Sequence, residues 1–495
     1  MKHGFKSKVA VFALSAVLAL TSLPAAPYAD EYGKEAGFKP DYRINNPYEE
    51  VDWENWKQYK GDFHAHSTNS DGGNLTYEMV EDHYAKGYDI LAMTDHNYVT
   101  RGWENADEGA MELARKQEIE AGTDRDGRGM LDMSFSNEQS KSDHINTFNL
   151  DFNNEAFPEE HSAEANMATT LNQVEAMGAI AHINHMGRYT GGNKNADMSH
   201  DPETIAKYVH LLRQHPATVG MEIINKIDNE SRNDRALYDN ILMQLMPENR
   251  NVWGFANDDT HHVNSTGYAF NMLLMPELSI EETRKAMENG AFYGVTRVAR
   301  NEGINAILPD GSEAPGSGNE STLYMLEQTT PAITNIVVDQ VEKTITIEGT
   351  DFDKIEWIAD GKVIATGEMI DLDDFFGTEV NSYVRAELES ETGLAFTQPF
   401  RVFKFAEKIE VTEATANDNQ IVLQLEGVPA DGAGHFVYLS ENKGEFVQYE
   451  DVSFSEEGVT VNNLEKGKRY DVYLIQVEDD VIMARSAKTR VDIAE

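Results

Sequence analysis

Between about residues 59 and 300, short apolar runs alternate with longer stretches of helical character. Tyr88–Met93, Ala179–Ile183 and Val219–Ile224 have the length and continuity of strands buried on both faces. Tyr77–Lys86, Ala163–Met177, Pro202–Gln214 and Asp234–Met246 read as helices. Pro202 suits a first helical turn, and Gly87 suits the position after a last one. Such alternation predicts an α/β sheet or barrel. After about residue 320 the texture changes. Thr344–Glu348 and Lys354–Ile358 alternate with a period of two, Asp360-Gly361 is a tight-turn signal, and Tyr383–Leu388 reads as another strand. Ile409–Val411, Gln420–Leu425, His435–Leu439, Val459–Val461 and Tyr470–Gln476 repeat that style, which predicts small β-sandwiches. These shifts divide the chain into an N-terminal 1–29, a polar leader segment at 30–58, an α/β region at 59–325, a β-rich accessory domain at 326–407 and a second β-sandwich at 408–495.

The first 29 residues have the order of a secretory signal peptide. Lys2, Lys6 and Lys8 precede an apolar run from Val9 to Leu20, and small residues follow through Ala25, Ala26 and Ala29. The run is short for a membrane span, and an uncleaved anchor is the alternative. A secreted or cell-surface protein without stable membrane insertion is therefore expected. The 86 acidic residues outweigh 41 basic ones, giving a net charge of −45. That charge repels nucleic-acid backbones and anionic membranes but attracts divalent cations, and it leaves room for a small anionic substrate in a locally basic pocket. The chain has no cysteine, which removes disulfides, thiolate metal sites and cysteine nucleophiles.

Five apolar runs finish in residue types that bind metals. The first ends in Asp62-Phe63-His64-Ala65-His66, with Ser70-Asp71-Gly72 after it. In a strand, His64 and His66 share a face. The second ends in Thr94-Asp95-His96-Asn97, and the third reaches Glu138, with Asp143-His144 following. The fourth reads His182-Ile183-Asn184-His185-Met186-Gly187-Arg188, and the fifth ends in Asn257-Asp258-Asp259-Thr260-His261-His262. Imidazole and carboxylate are common ligands, and catalytic groups of α/β folds gather at strand C-termini. Structural histidines and loop acids would explain any one of these, but five in register with the strand pattern point to one multi-metal site.

The ordered set His64-Ala65-His66, Ser70-Asp71-Gly72, Thr94-Asp95-His96-Asn97, Glu138, His144, His185-Met186-Gly187-Arg188 and Asp259-Thr260-His261 resembles the polymerase and histidinol phosphatase (PHP) family over about residues 59–300. That resemblance implies a distorted seven-stranded β/α barrel, followed here by two small all-β domains. It also implies two or three divalent ions (manganese, zinc or iron) and hydrolysis, mostly of phosphoesters. Carried over, His64, His66, Asp259 and Glu138 would hold one ion. Glu138 would bridge to a second with His144 and His185, and Asp71, His96 and His261 would hold a third. His182 remains an alternative to His185, and Asp258 to Asp259. Aspartate at position 71 favours a harder ion such as manganese.

A hydroxide shared by the ions would then attack a small phosphate mono- or diester in line. Arg188 could clamp the phosphate, and Arg297 is a second candidate. The alternatives are a metal-dependent hydrolase of an amide or lactone, and a cell-surface binding protein with a remnant barrel. Segment 408–495 resembles a fibronectin type III-like sandwich, and the β domains are candidates for a cell-surface or carbohydrate contact. Trp357, Tyr383 and Phe400 would be the sugar platform, although core packing is the expected use of these aromatics. All proposed ligands precede His262, so a barrel cut after about residue 325 is expected to keep its metals.

Overall fold

The computed structural model describes residues 42–153, 163–228, 230–305, 328–340, 342–404, 409–426, 428–442, 446–478, 481–486 and 489–494. The expected signal peptide lies outside them. Tyr42–Phe403 forms one compact unit, and the remainder from Lys404 belongs to a second.

The strands of the first unit begin with β1 (Tyr42–Asn45), β2 (Lys57–Ala65), β3 (Ile90–Met93), β4 (Leu131–Asp132), β5 (Asn137–Gln139) and β6 (Ile145–Phe148). They continue with β7 (Ile180–Ile183), β8 (Thr218–Asn225), β9 (Trp253–Asn257), β10 (Ala269–Met275) and β11 (Phe292–Thr296). One sheet runs β5-β6-β7-β8-β9. In it β7, β8 and β9 are parallel, whereas β5, β6 and β7 pair antiparallel. A second sheet contains β11-β10-β2-β3-β4, in which only β2, β3 and β4 are parallel. Two isolated bridges join the sheets, Ala65 with Thr260 and His96 with Glu138. The class is mixed α/β, with helices at Thr76–Ala85, Ala163–Ala176, Pro202–Gln214, Asp234–Leu245 and Ile280–Asn289 among others. Their starts are chemically defined. Asp201 accepts the Thr204 amide at 2.8 Å ahead of Pro202, and Ser279 accepts the Glu282 amide at 3.2 Å.

The boundary expected near residue 325 does not separate two sheets. After β12 (Ala332–Asp339), β13 (Thr344–Thr350), β14 (Lys354–Ala359), β15 (Lys362–Thr366) and β16 (Met369–Asp371) come β17 (Tyr383–Ser390), β18 (Gly393–Phe396) and β19 (Phe400–Lys404). β18 pairs with β11 through Gly294–Phe396, Val295–Ala395 and Thr296–Leu394, and the same sheet continues to β17, β19 and β1. Gly294 permits this, because a Cβ there would lie 2.0 Å from the Phe396 ring. Side chains lock the join. Buried Arg385 holds Asp239 through Nε and Nη2 at 2.8 and 2.9 Å, and Tyr383 donates to the same carboxylate at 2.7 Å. Gln398 bonds both the amide and the carbonyl of Gly254. The described part of the leader is built in as well: Tyr48 donates to the Phe292 carbonyl, and Tyr42 stacks on Phe376. Trp357, Tyr383 and Phe400 are fully buried, so none of them offers a sugar platform.

The second unit contains a four-stranded and a five-stranded sheet. Its core includes Ile421, Leu423, Val437, Val459, Val472 and Leu474. Among the described residues, no helix is long and apolar enough to cross a membrane.

Candidate metal centre

β2 delivers His64, and the residue after it delivers His66, so both imidazoles enter one buried space. His64 Nε2 lies 3.3 Å from Glu138 Oε1 and 3.4 Å from Asp259 Oδ1. His66 Nε2 lies 3.5 Å from Glu138 Oε2 and 3.2 Å from Asp259 Oδ1. Glu138, the middle residue of β5, also meets His96 Nδ1 at 2.8 Å, His144 Nδ1 at 2.9 Å and His185 Nε2 at 3.3 Å. Asp71 reaches His261 Nε2 at 3.3 Å and His96 Nε2 at 3.6 Å. All nine residues expected as ligands thus converge on one cluster.

Of the alternatives, His182 packs into the core, stacked on Phe255 with ring centroids 4.7 Å apart. Asp258 turns away to accept Tyr88 Oη at 2.6 Å and the amides of Gly267, Tyr268 and Ala269. Arg188 is the exposed residue of a single helical turn, Gly187–Thr190, after the β7 end. Burial pushes the Lys226 ammonium down, but Asp259 outweighs it and holds the pKa above its usual value, with the Arg188 charge a small opposing effect. Arg297 is not brought to the cluster. Its guanidinium is buried against the carbonyls of Gly267 and Gln328 at 3.0 and 2.8 Å, so the expectation that it clamps substrate does not hold in this geometry.

The surroundings position the donors. Buried Glu222 accepts His64 Nδ1–H at 2.7 Å, which turns the Nε2 lone pair towards the cluster. Its second oxygen accepts the His185 amide at 3.1 Å and Asn225 Nδ2 at 3.0 Å, while Oε1 also accepts Asn257 Nδ2 at 2.8 Å. Asn184 donates to Glu138 Oε1 at 2.7 Å. Asp95 accepts the Ser67 amide at 2.7 Å and Ser70 Oγ at 2.8 Å, which fixes the loop carrying Asp71. That loop folds back only because Gly72 has no side chain; a Cβ there would sit 2.7 Å from the His66 backbone. Lys226 Nζ stands 3.1 Å from Asp259 Oδ2. The sequence reading passed over both Glu222 and Lys226. A glutamate inside the apolar run Val219–Ile224 was the available signal, since a buried carboxylate needs partners. His185, Lys226 and Asp259 adopt positive φ of 22°, 56° and 43°, the kind of backbone strain that collects at functional sites.

Electrostatics and hydrogen bonding both suit bound cations. Burial pushes the His64 imidazole down, but Asp259, Glu222 and Glu138 outweigh it and hold its pKa well above the usual value. Burial, helped by nearby His261, drives His66 down to about 3. For Glu138 burial acts upward, but His144 and His64 outweigh it and hold the carboxyl well below its normal range. His64 Nε2, His66 Nε2, His96 Nδ1, Glu138 Oε2 and Asp259 Oδ1 are buried without any hydrogen bond. The contact between His96 Nδ1 and Glu138 is close enough in distance but misaligned. Two ligands each about 2.1 Å from one tetrahedral ion stand about 3.4 Å apart, which is the spacing found here. Among the described residues, four groups offer ligand atoms that lie within 4.8 Å of one another: His66, Asp71, His96 and His261; His64, His66 and Asp259; His96, Glu138 and His144; and His64, His185 and Glu222. The cluster is compatible with divalent metal binding.

No family model and no curated protein matches the chain. Solved structures similar to it include a two-domain protein from Bacteroides vulgatus containing a predicted PHP-like metal-dependent phosphoesterase. It is 16% identical, with a TM-score of 0.34, covering 74% of this chain and 99% of its own. Another is a candidate metal-dependent phosphoesterase from Bifidobacterium adolescentis, 14% identical with a TM-score of 0.26, covering 46% of this chain and 96% of its own.

Proposed function

We propose that this protein is an exported multi-metal phosphoesterase acting on a small phosphate mono- or diester. The observation that carries the reading is the set of five buried, unbonded donor atoms facing one another around Glu138 and Asp259. In this reading the two sheets and their bridges make a distorted barrel. His64, His66, Asp259 and Glu138 hold one ion, Glu138, His144 and His185 a second, and Asp71, His96 and His261 a third. Manganese, zinc and iron all suit such a nitrogen and oxygen donor set. Bound divalent ions supply the Lewis acidity that lowers the pKa of a water molecule and polarises a phosphoryl oxygen.

The chain's own residues do the rest. Glu222 keeps His64 in the tautomer whose Nε2 is free, Asn184 orients Glu138, and Asn225 and Lys226 orient Asp259. In this reading Arg188, exposed one turn past the β7 end and near enough for its charge to act on Lys226, is the phosphate clamp. A cation free of carboxylate partners among the described residues and carried just past the His185 strand end favours an anionic ester over a neutral amide or lactone.

The test is a screen of protein reconstituted with manganese, zinc or iron against phosphomonoesters, phosphodiesters, amides and lactones. With a phosphoester substrate, Arg188→Ala should keep its metals and lose about 10²–10³ in kcat. Arg188→Lys should recover only part, because ammonium lacks the bidentate fork. Turnover of amides or lactones alone, or undiminished kcat/KM in Arg188→Ala, would overturn the phosphate assignment.

A further inference from the structure

A second site stands at the opposite end of β2. Where the strand begins, a cavity of about 390 Å³ is lined by Lys60, Arg125, Arg128 and Arg297, and no aspartate or glutamate is among its described lining residues. In a chain with twice as many acids as bases, four cations around one cavity are out of proportion. Two of them have a carboxylate partner. Arg128 grips Asp89 through Nε and Nη2, both at 2.6 Å, and Arg125 reaches the same residue at 3.2 Å. The other two have none among the described residues. Lys60 Nζ lies 3.8 Å from the centre of the Tyr88 ring and 4.4 Å from that of Phe270, with one carbonyl, Lys86 O, at 3.3 Å. Arg297 is 8% exposed, and among the described residues its side chain bonds only backbone carbonyls. Asp258 acts on both through space, and Asp62 and Asp89 act on Lys60, but none of these carboxylates forms an ion pair with either cation; Asp258 spends its oxygens on three backbone amides and Tyr88.

Burying a charge without a counter-charge is costly, and the cost falls when an ion of opposite sign shares the space. Two carboxylates, Asp89 and Asp258, stand against the four cations Lys60, Arg125, Arg128 and Arg297, and that balance suits a dianion. We propose that this cavity is a binding site for a small phosphate-bearing dianion, separate from the metal cluster. Four residues of strand separate Lys60 from His64, about 13 Å. Burial already holds the Lys60 ammonium down at about 7, and it lowers the Arg297 guanidinium too, so both cations stand to gain from a bound anion.

The test uses the full chain after chelation, so that phosphate cannot be held by metals. Inorganic phosphate should bind with one equivalent by calorimetry. It should also raise Tm, whereas chloride and acetate at equal ionic strength should not. Lys60→Met should weaken phosphate binding at least tenfold. Thr330→Glu places a carboxylate in the cavity wall from a half-buried loop position; it should stay folded and abolish binding, and it decides the matter if Lys60→Met does not fold. Competition by glycerol phosphate would assign the site to phosphate esters, and its failure would assign it to free phosphate. An equal response to acetate, no phosphate-specific shift, or undiminished binding in Thr330→Glu would overturn the proposal.

Discussion

Replacing Glu222 by glutamine tests whether the metal centre depends on the hydrogen bonds behind it. The carboxylate accepts four donors: His64 Nδ1–H at 2.7 Å, Asn257 Nδ2 at 2.8 Å, Asn225 Nδ2 at 3.0 Å and the His185 amide at 3.1 Å. A glutamine has one acceptor oxygen, so its NH₂ must face donors on one side. If that side is His64, the imidazole is driven to the opposite tautomer, and Nε2 then presents a proton to the cluster instead of a lone pair. Losing a carboxylate behind a histidine ligand typically weakens metal affinity by about 10–100-fold, which is about 1.4–2.7 kcal/mol. The assay is competition for manganese or zinc with a chromophoric chelator, with folding checked by circular dichroism. An affinity within twofold of wild type in a folded variant would refute the reasoning. Loss of a whole metal equivalent would also refute it, by making Glu222 itself a ligand.

Truncation should separate the two units of the chain but not the sheet that crosses residue 325. Protein ending at Phe403 should fold and bind metal, whereas protein ending at 325 should be insoluble, because the β11 edge and Asp239 lose β18 and Arg385; a soluble, metal-binding product from the shorter chain would count against this. His182 should contribute to acid lability. Burial holds its pKa down at about 4, below the ordinary 6.5, so the unfolded chain takes up a proton first as pH falls. Its stabilising effect is complete above about pH 6.5 and is lost towards pH 4, at about 3 kcal/mol in full. His182→Phe should keep the stacking on Phe255 and flatten that slope, measured by urea unfolding of chelated protein at pH 7.5 and pH 5; an unchanged slope would show that other groups set it.

The residues of the cluster were readable because their chemistry interrupts a pattern. His64, His96, His185 and Asp259 stand where apolar runs stop, and a strand that ends in imidazole or carboxylate at five places has few uses other than a shared ion. Spacing leaned towards His185 over His182 and Asp259 over Asp258, but only the coordinates show why each pair divides. Each pair sits at one strand end with equivalent residue types, and what separates them is a stacked Phe255 in one case and three backbone amides in the other. Arg297 misled for the same reason: an arginine after Tyr293-Gly-Val-Thr looks like a strand-end clamp, but its partners are carbonyls contributed by Gly267 and Gln328, far apart in the chain.

The boundary at 325 failed differently. A change from helical to alternating texture reports local secondary structure, whereas β11 pairs with a strand that begins about a hundred residues later, at Gly393. Non-local strand pairing leaves only a faint trace in the chain, and here that trace is Gly294, whose missing side chain makes room for Phe396. Lys60 marks the same limit. In sequence it is one lysine before Gly61-Asp62, and only the fold places it with three arginines from other segments, in a cavity that no acid lines among the described residues. A cluster of like charges drawn from distant segments is invisible to any window along the chain. In a protein this acidic, nothing in the overall charge would lead one to look for it.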